Sequence, residues 1–236
     1  MRMTIKSIFY DLDGTLRMNE PDGWQVFVEN ARELGFPLTQ EKALEAARWE
    51  HYYFAESPEL LEDRQKFHRE AFWLNYTHRQ LLEIGAAPAA ALELSPRLSK
   101  KMSENYHPQD VTPADLAGTL KVLRQRGYQL GVLSNRTESF AEYLEQLGLS
   151  QYFDLVLFAG EADIYKPDPA VFHYLLKKAG AAAEESMYVG DNYYADVLGS
   201  RAAGLTPVLL DKFGIFEEPG CAVITEHEQI LGLLPG

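Results

Sequence analysis

The chain has 236 residues, of which 46% are hydrophobic, and its 35 acidic and 22 Lys or Arg side chains give a net charge of −13. This length permits one large domain or a core domain with a smaller one, and the hydrophobic share predicts a packed core. Because phosphate backbones are bound by clustered Lys and Arg, we expect neither nucleic acid nor a membrane surface as a partner. Any phosphate group must therefore be bound at a local site.

Cysteine usage and hydropathy bear on the compartment. Cys221 is the only cysteine, which rules out an internal disulfide and any multi-cysteine metal site. No window of about 18 apolar residues occurs, and the segment before Asp11 has only a short apolar run. We therefore expect a cytoplasmic protein without a membrane span or a cleavable signal.

Short apolar runs of strand length alternate with helical patterns in much of the chain. The runs are Ser7 to Tyr10, Tyr128 to Leu133, Leu155 to Phe158, Met187 to Val189 and Pro207 to Leu210. Between the later runs, apolar residues recur at spacings of three and four and end at Gly148 and Gly180. Strands that alternate with single helices predict a doubly wound parallel sheet, a Rossmann-like α/β core covered on both faces.

The stretch from about Asp22 to Tyr106 lacks a convincing strand pattern and predicts successive helices. Ser57-Pro58 is typical of a helix start, since Ser caps the first turn and Pro fits its first position. One apolar face is then predicted through Phe67, Ala71, Leu74, His78 and Leu81. An all-helical module therefore interrupts the α/β pattern after the first strand.

Proline pairs mark the downstream end of this module. His107-Pro108 bounds it, and Thr112-Pro113 predicts the start of another helix with Asp115 in the capping-box position. We therefore expect a core domain of residues 1–18 and 107–236 and a helical domain of residues 19–106.

Polar residues and one glycine follow the first, second and fourth predicted core strands, and a lysine lies in the loop after the third. They are Asp11, Asp13, Gly14 and Thr15 after the first strand, Ser134, Asn135 and Arg136 after the second, Lys166 in the loop, and Asp191 and Asp196 after the fourth. Ligands of open parallel sheets bind outside the carboxyl ends of the strands, so we expect these groups to converge. A single such loop is more often a plain turn. The occurrence of all of them in order favours a functional site.

A cluster of Asp11, Asp13 and Asp191 needs a balancing cation. Two carboxylates about 4 Å apart repel by roughly 4 kcal/mol at an effective dielectric near 20. Mg²⁺ prefers oxygen ligands and binds with one or two carboxylates, waters and a substrate phosphate. The sequence therefore predicts a magnesium site at this edge of the sheet.

The order of these motifs resembles the haloacid dehalogenase-like hydrolase superfamily, in its aspartate-nucleophile phosphatase branch with a helical cap. The resemblance covers nearly the whole chain, and its most specific motif is Asp11-Leu12-Asp13-Gly14-Thr15. Only 32 positions separate Ser134 from Lys166, which leaves no room for a second large cap. Substrate selection is therefore expected of the helical insertion.

The resemblance implies a role for each group at the site. Asp11 would be the nucleophile that becomes an aspartyl-phosphate, and Asp13 would protonate the leaving oxygen and later activate water. Ser134 and Lys166 would hold the phosphoryl oxygens, and Asp191 would bind the metal with Asp11 and the main-chain carbonyl of Asp13. Gly14, Thr15 and Asn135 are the other expected substrate contacts. Apart from the resemblance, Arg136 and Arg17 lie next to these loops and are candidates for contact with an anionic leaving group, with pairing to a surface acid as the alternative for Arg17.

The last motif departs from the family pattern. Asp196 is expected to lie outside the direct metal ligands and to orient water or Lys166. The family often has Asn immediately before this acid, whereas here the residue is Ala195. The departure bears on the orientation of Asp196 and leaves the predicted metal site unchanged.

Several functions remain open at this point. An acid at Asp13 favours phosphate esters over dehalogenation, because an alkoxide benefits from a proton whereas a halide leaves without one. The expected activity is hydrolysis of a small phosphorylated metabolite, such as a sugar phosphate, phosphoglycolate or a nucleoside monophosphate. The alternatives are a phosphosugar mutase of the same family and a receiver-like or otherwise non-hydrolytic phosphate-binding regulatory protein. Oligomeric state is not readable from the pattern.

Overall fold

The computed structural model describes residues 4–235, so the expected ends of the core domain at residues 1–3 and 236 lie outside the described residues. The chain divides into two compact units. One contains the chain up to Met18 and from Val111 onward, and the other is Asn19–Asp110. The division after Asp110 lies close to the expected boundary at residue 107.

The first unit is built on a parallel sheet. The strands in chain order are β1 (Ser7–Tyr10), β2 (Met18–Glu20), β3 (Gln109–Val111), β4 (Gln129–Ser134), β5 (Leu155–Phe158), β6 (Ser186–Gly190), β7 (Thr206–Leu210) and β8 (Ala222–Ile224). Within residues 4–235, six strands pair in the order β5-β4-β1-β6-β7-β8, and every pair in that sheet is parallel. Strands β2 and β3 form a separate two-stranded sheet.

Helices make up most of the second unit, and further helices connect the strands of the first. They are α1 (Gly23–Glu33), α2 (Gln40–Tyr53), α3 (Pro58–Lys66), α4 (Glu70–Glu83), α5 (Pro88–Asn105), α6 (Leu116–Gln125), α7 (Ala141–Gln146), α8 (Pro169–Ala179) and α9 (Gly199–Ala202). Short 3₁₀ turns lie at Ser150–Tyr152, Ala159–Glu161, Ala183–Glu185 and His227–Gly232, and a π-helical turn lies at Tyr193–Leu198.

Strand β1 shows why the sheet is buried on both faces. Its side chains alternate, so Ile8 and Tyr10 join one hydrophobic cluster and Phe9 joins the other. The chain runs from β1 to β4 and β5 on one side and then to β6 on the other, which makes the carboxyl end of β1 a topological switch point. The predicted doubly wound α/β fold is confirmed.

The predicted continuous helical face from Phe67 to Leu81 is wrong. Helix α3 ends before Phe67, which is extended, and Arg69 has a positive φ of 50° before α4 begins. Ala71 and Leu74 are exposed or partly exposed rather than buried. The buried face of α4 is instead formed by Tyr76, Thr77, Gln80 and Leu81. Packing on the neighbouring helices, rather than apolar spacing alone, selects this face.

At the edge of the core unit, one smaller prediction is wrong and one strand has no predicted counterpart. Helix α6 begins at Leu116, and the Asp115 carboxylate accepts a hydrogen bond from the main-chain N of Glu228, 2.9 Å away, instead of capping the helix. Strand β8 is absent from the predicted elements, because it has three residues and the apolar run that contains it, Cys221 to Ile224, is too short to distinguish a strand from a loop. Among the described residues, no helix is long and apolar enough to cross a bilayer.

Candidate active site

Three strand ends and the loop that carries Lys166 bring the predicted polar residues together at the carboxyl edge of the sheet. Asp11 directly follows β1, and its main-chain N extends the strand ladder to Val189 O at 2.9 Å. Ser134 ends β4, and Asp191 directly follows β6. These strands are neighbours in the sheet, so their ends place the side chains around one point.

Lys166 lies at the centre of this group. Its Nζ lies 2.6 Å from Oδ1 of Asp11 and 2.6 Å from Oδ1 of Asp196, and its side chain is only 3% exposed. The Tyr188 hydroxyl lies 3.2 Å from the same Nζ and donates to Leu133 O at 2.8 Å. Burial alone would lower the pKa of Lys166, but the charges of the two aspartates outweigh it and hold the pKa well above its usual value.

Three carboxylates converge beside the lysine. Oxygens of Asp11, Asp191 and Asp196 lie within 4.8 Å of one another. Burial raises the pKa of Asp11 to about 7 although Lys166 opposes the rise, and burial with the charges of its neighbours raises the pKa of Asp191 well above its usual value. Such crowded oxygens favour an additional cation, and the donor set suits a hard divalent ion.

The first loop is shaped around Asp191. The Thr15 hydroxyl donates to Asp191 Oδ1 at 3.1 Å and accepts from the Asp191 main-chain N at 3.1 Å. Gly14 has a φ of +92°, and a β-carbon there would lie 2.3 Å from Asp191 Oδ2. Gly14 and Thr15 are expected as substrate contacts. In this structure they lie against Asp191 and position its carboxylate. The glycine leaves the space that the carboxylate occupies.

Asp13 lies in a different environment from Asp11. Nε and Nη2 of Arg136 lie 2.9 and 2.8 Å from Oδ2 and Oδ1 of Asp13, and Nε of Arg17 lies 2.9 Å from Oδ1. The Ser134 hydroxyl lies 3.4 Å from Oδ2. Burial would raise the pKa of Asp13, but the hydrogen bonds and charges of the two arginines hold it below its usual value.

Two side-chain amides organise the loops around these groups. The Asn135 side chain donates to Lys166 O at 2.9 Å and accepts from Lys166 N at 2.7 Å, so it fixes the loop that carries the lysine. Asn192 Oδ1 accepts from Ala195 N, and Asn192 N donates to Asp196 Oδ2 at 2.9 Å. The main chain and Lys166 thus orient Asp196 without an amide at position 195.

Sequence reasoning missed two contributors. Tyr188 and Tyr143 lie in apolar patterns that predict only core packing, yet Tyr188 contacts Lys166, and the Tyr143 ring centroid lies 4.8 Å from the Arg136 guanidinium carbon. A tyrosine two residues before a strand-end glycine and aspartate is a weak signal for the first. No signal in the sequence identifies the second, because it depends on how α7 packs.

Comparisons with known proteins identify the family of the chain. Residues 5–204 match the family model described as haloacid dehalogenase-like hydrolase. A phosphoserine phosphatase of Thermus thermophilus is 30% identical over 88% of this chain and 89% of its own length.

Solved structures show the same fold over nearly the whole chain. A predicted phosphoglycolate phosphatase from Haemophilus somnus 129pt superposes with a TM-score of 0.62 at 20% identity, covering 99% of both chains. A 2-haloacid dehalogenase from Pseudomonas syringae pv. tomato DC3000 superposes with a TM-score of 0.55 at 25% identity, covering 98% of both chains. By its family model and its curated relative, the chain belongs to the haloacid dehalogenase-like hydrolases, and the predicted hydrolase class is confirmed.

Proposed function

We propose that this protein is a magnesium-dependent phosphatase that hydrolyses a small phosphorylated metabolite through a phosphorylated Asp11. The main support is the position of Asp11, with an oxygen 2.6 Å from the Lys166 ammonium and within 4.8 Å of oxygens of Asp191 and Asp196. A nucleophilic carboxylate beside a fixed cation suits phosphoryl transfer, which depends mainly on positioning and charge neutralisation.

In the first step, a carboxylate oxygen of Asp11 forms a bond to phosphorus while the bond from phosphorus to the ester oxygen breaks. Asp13 is protonated once it has left the two arginines that lower its pKa, and its proton passes to the departing oxygen, so an alcohol leaves instead of an alkoxide. Ser134 and Lys166 hold the phosphoryl oxygens in line for this displacement. The product is an acyl phosphate on Asp11.

In the second step, Asp13 takes a proton from water as the water oxygen bonds to phosphorus. The bond between phosphorus and Asp11 breaks, which releases inorganic phosphate and restores both the Asp11 carboxylate and protonated Asp13. One residue thus serves as acid and then as base. Asn135 acts in both steps by holding the loop of Lys166.

The cluster of carboxylates formed by Asp11, Asp191 and Asp196 suits a bound Mg²⁺. Asp11, Asp191 and the main-chain carbonyl of Asp13 would hold the ion, with Asp196 close by on Lys166. When bound, the ion neutralises charge on the phosphoryl oxygens.

Asp13 also separates this activity from dehalogenation, the activity named for one of the structural neighbours. Attack on carbon with loss of halide needs no proton donor for the leaving group. An acid two residues after the nucleophile, within 3.4 Å of the Ser134 hydroxyl, suits an ester oxygen. We therefore favour a phosphate ester over a haloacid as the substrate.

The proposal also covers the role of the helical unit and the kind of partner. The helical unit, Asn19–Asp110, would select the substrate as a cap domain. The partner would be a small soluble metabolite in the cytoplasm.

The proposal is tested by phosphate release from p-nitrophenyl phosphate with and without MgCl₂. We expect magnesium-dependent turnover that Asp11→Asn reduces by about 1,000-fold or more, since it removes the nucleophile. Asp168→Asn is the matched control, because Asp168 caps α8, a role that Asn performs equally well. Equal turnover by Asp11→Asn and wild type refutes the assignment of the nucleophile.

A second assay separates a hydrolase from a mutase. The protein is incubated with a hexose phosphate, and the products are separated and identified. Free phosphate with unphosphorylated sugar supports hydrolysis, and an isomerised sugar phosphate in its place contradicts it.

A further inference from the structure

Both oxygens of the Asp13 carboxylate are bound by arginine. Arg136 binds them with two parallel contacts, Nε to Oδ2 at 2.9 Å and Nη2 to Oδ1 at 2.8 Å. Arg17 adds Nε and Nη2, each 2.9 Å from Oδ1. This is the paired geometry in which a guanidinium recognises a carboxylate most strongly.

The Arg136 guanidinium has contacts that do not involve Asp13. The guanidinium carbon of Arg136 lies 4.8 Å from the Tyr143 ring centroid and 5.8 Å from that of Phe140, and its main-chain N donates to Ser134 Oγ at 3.3 Å. Gly14 N donates to Arg17 O at 2.8 Å, which fixes the main chain at Arg17. The carboxylate-binding arrangement is therefore a built feature of the loops.

The group also remains open to solvent. The Asp13, Arg136 and Arg17 side chains are 35%, 32% and 16% exposed, whereas that of Lys166 is 3% exposed. A small molecule that reaches Asp13 thus meets the two guanidinium groups directly.

The proposed mechanism requires Asp13 to contact the leaving oxygen. In this structure, its oxygens contact the arginines instead. A substrate must therefore replace at least part of the arginine contacts before Asp13 can turn to the ester. A neutral leaving group has nothing to offer the arginines in exchange, whereas a leaving group with its own carboxylate can replace each contact by a similar one.

We propose that Arg17 and Arg136 form a subsite for a carboxylate on the leaving group, and that the Asp13 side chain occupies this subsite when substrate is absent. The inference rests on the proposed phosphatase function and names its substrate class, the phosphate esters of small hydroxy acids. Binding of the substrate carboxylate releases Asp13 for the leaving oxygen. Recognition of the correct substrate and completion of the catalytic arrangement are then one event.

The experiment compares two small esters that differ mainly in charge, phosphoglycolate and 2-hydroxyethyl phosphate. With the wild-type protein and MgCl₂, we expect kcat/KM for phosphoglycolate to be about tenfold higher or more, since a site built for a carboxylate is left unpaired by the alcohol. Arg136→Gln and Arg17→Gln should each bring this ratio towards one. Equal kcat/KM for the two esters with wild type, or a ratio unchanged in both variants, overturns the subsite.

Two further variants control for charge and for the loss of any arginine. Arg124→Gln removes an arginine that pairs with Asp154 at the surface and should keep the wild-type ratio. Arg136→Lys keeps the positive charge but loses the two parallel contacts, so we expect a ratio between those of wild type and Arg136→Gln. If the ratio of the two kcat/KM values also falls towards one in Arg124→Gln, net charge explains the preference. That result contradicts the subsite.

A binding measurement separates failure of this inference from failure of the proposed function. Calorimetric titration of Asp11→Asn with the two esters needs no turnover, and tighter binding of phosphoglycolate that Arg136→Gln abolishes supports the subsite. Absence of phosphate release by wild type contradicts the proposed function alone. Ethylene glycol bisphosphate is the last compound compared, since it carries a second phosphate in place of the carboxylate. If the protein prefers it over phosphoglycolate, the proposal of a carboxylate subsite is overturned in favour of a second phosphate.

Discussion

A β-carbon on Gly14 would lie 2.3 Å from the Oδ2 atom of Asp191. A carbon and an oxygen that are not bonded cannot lie this close together. The loop after β1 can therefore lie against the Asp191 carboxylate only if position 14 is a glycine. The contact joins the loop after β1 to the loop after β6, the two segments that supply Asp11 and Asp191. The geometry of the acidic cluster thus depends on the absence of one side chain.

Gly14→Ala should displace Asp191 and lower kcat/KM by about 100-fold, the effect expected of a shift of roughly 1 Å at a catalytic group. The measurement is magnesium-dependent phosphate release, together with the magnesium concentration for half-maximal rate, which should rise. Gly127→Ala is the matched control, since Gly127 has a similar φ of +85° and nothing within 4 Å of its β-carbon position. It should cost about 1 kcal/mol of stability and keep its activity. Similar activity in both variants contradicts this reading of Gly14.

Two buried tyrosines on neighbouring strands offer a second comparison. Tyr188→Phe removes the hydroxyl that donates to Leu133 O at 2.8 Å and lies 3.2 Å from Lys166 Nζ. We expect a loss of about 1–2 kcal/mol in the free energy of unfolding, with a lower kcat, because a buried acceptor and a buried cation each lose a partner. Urea denaturation and steady-state kinetics measure the two effects.

Tyr10→Phe is the control for that comparison. The Tyr10 hydroxyl is fully buried and has no hydrogen-bond partner among residues 4–235. Its removal should leave the free energy of unfolding unchanged or raise it by about 1 kcal/mol, since an unsatisfied buried hydroxyl is costly. A greater loss in Tyr10→Phe than in Tyr188→Phe would contradict the assigned difference in hydrogen bonding between the two hydroxyls.

A partly buried acid in the helical unit gives a pH-dependent prediction. Burial, with a smaller contribution from Asp22, raises the pKa of Glu50 from 4.5 to about 7 even though the Tyr76 hydroxyl donates to it at 2.9 Å. The folded state thus binds the proton more tightly than the unfolded state, and stability is lost as the pH rises from about 4.5 to 7. Glu50→Gln removes this loss, so its advantage over wild type should grow across that range to on the order of 2 kcal/mol at pH 8.

The measurement for Glu50 is chemical denaturation of both proteins at pH 5 and pH 8. Glu29→Gln, a change at an exposed position of α1, should show no such growth between the two pH values. An advantage of Glu50→Gln that is equal at both pH values contradicts the assigned burial effect.

The sheet and the positions of its strand-end acids could be predicted, because parallel strands place their carboxyl ends at one edge. Asp11, Asp191 and Lys166 are distant in sequence, yet the expected topology alone brings them together. The helical break at Arg69 could not be predicted because no apolar pattern marks it, and the strand at Val223 could not because its apolar run is too short to distinguish a strand from a loop. Their form is decided by tertiary packing.

Side-chain partners within the site were equally beyond the sequence. The pairing of Arg136 with Asp13 depends on rotamers and on the ring of Tyr143 from α7, and no spacing rule encodes it. Asn135 was expected at the substrate, whereas its amide holds the Lys166 main chain. The motifs thus predicted which side chains converge, and the structure shows the contacts that orient them.

The central claim is covalent phosphorylation of Asp11, and trapping of the phosphorylated protein tests it most directly. The protein is mixed with magnesium and substrate, quenched in acid within milliseconds, treated with hydroxylamine and digested for mass spectrometry. The account predicts a hydroxamate on the peptide that contains Asp11, absent from Asp11→Asn and from protein without substrate. A hydroxamate at another carboxylate, or none while phosphate is released in a stoichiometric burst, would contradict it.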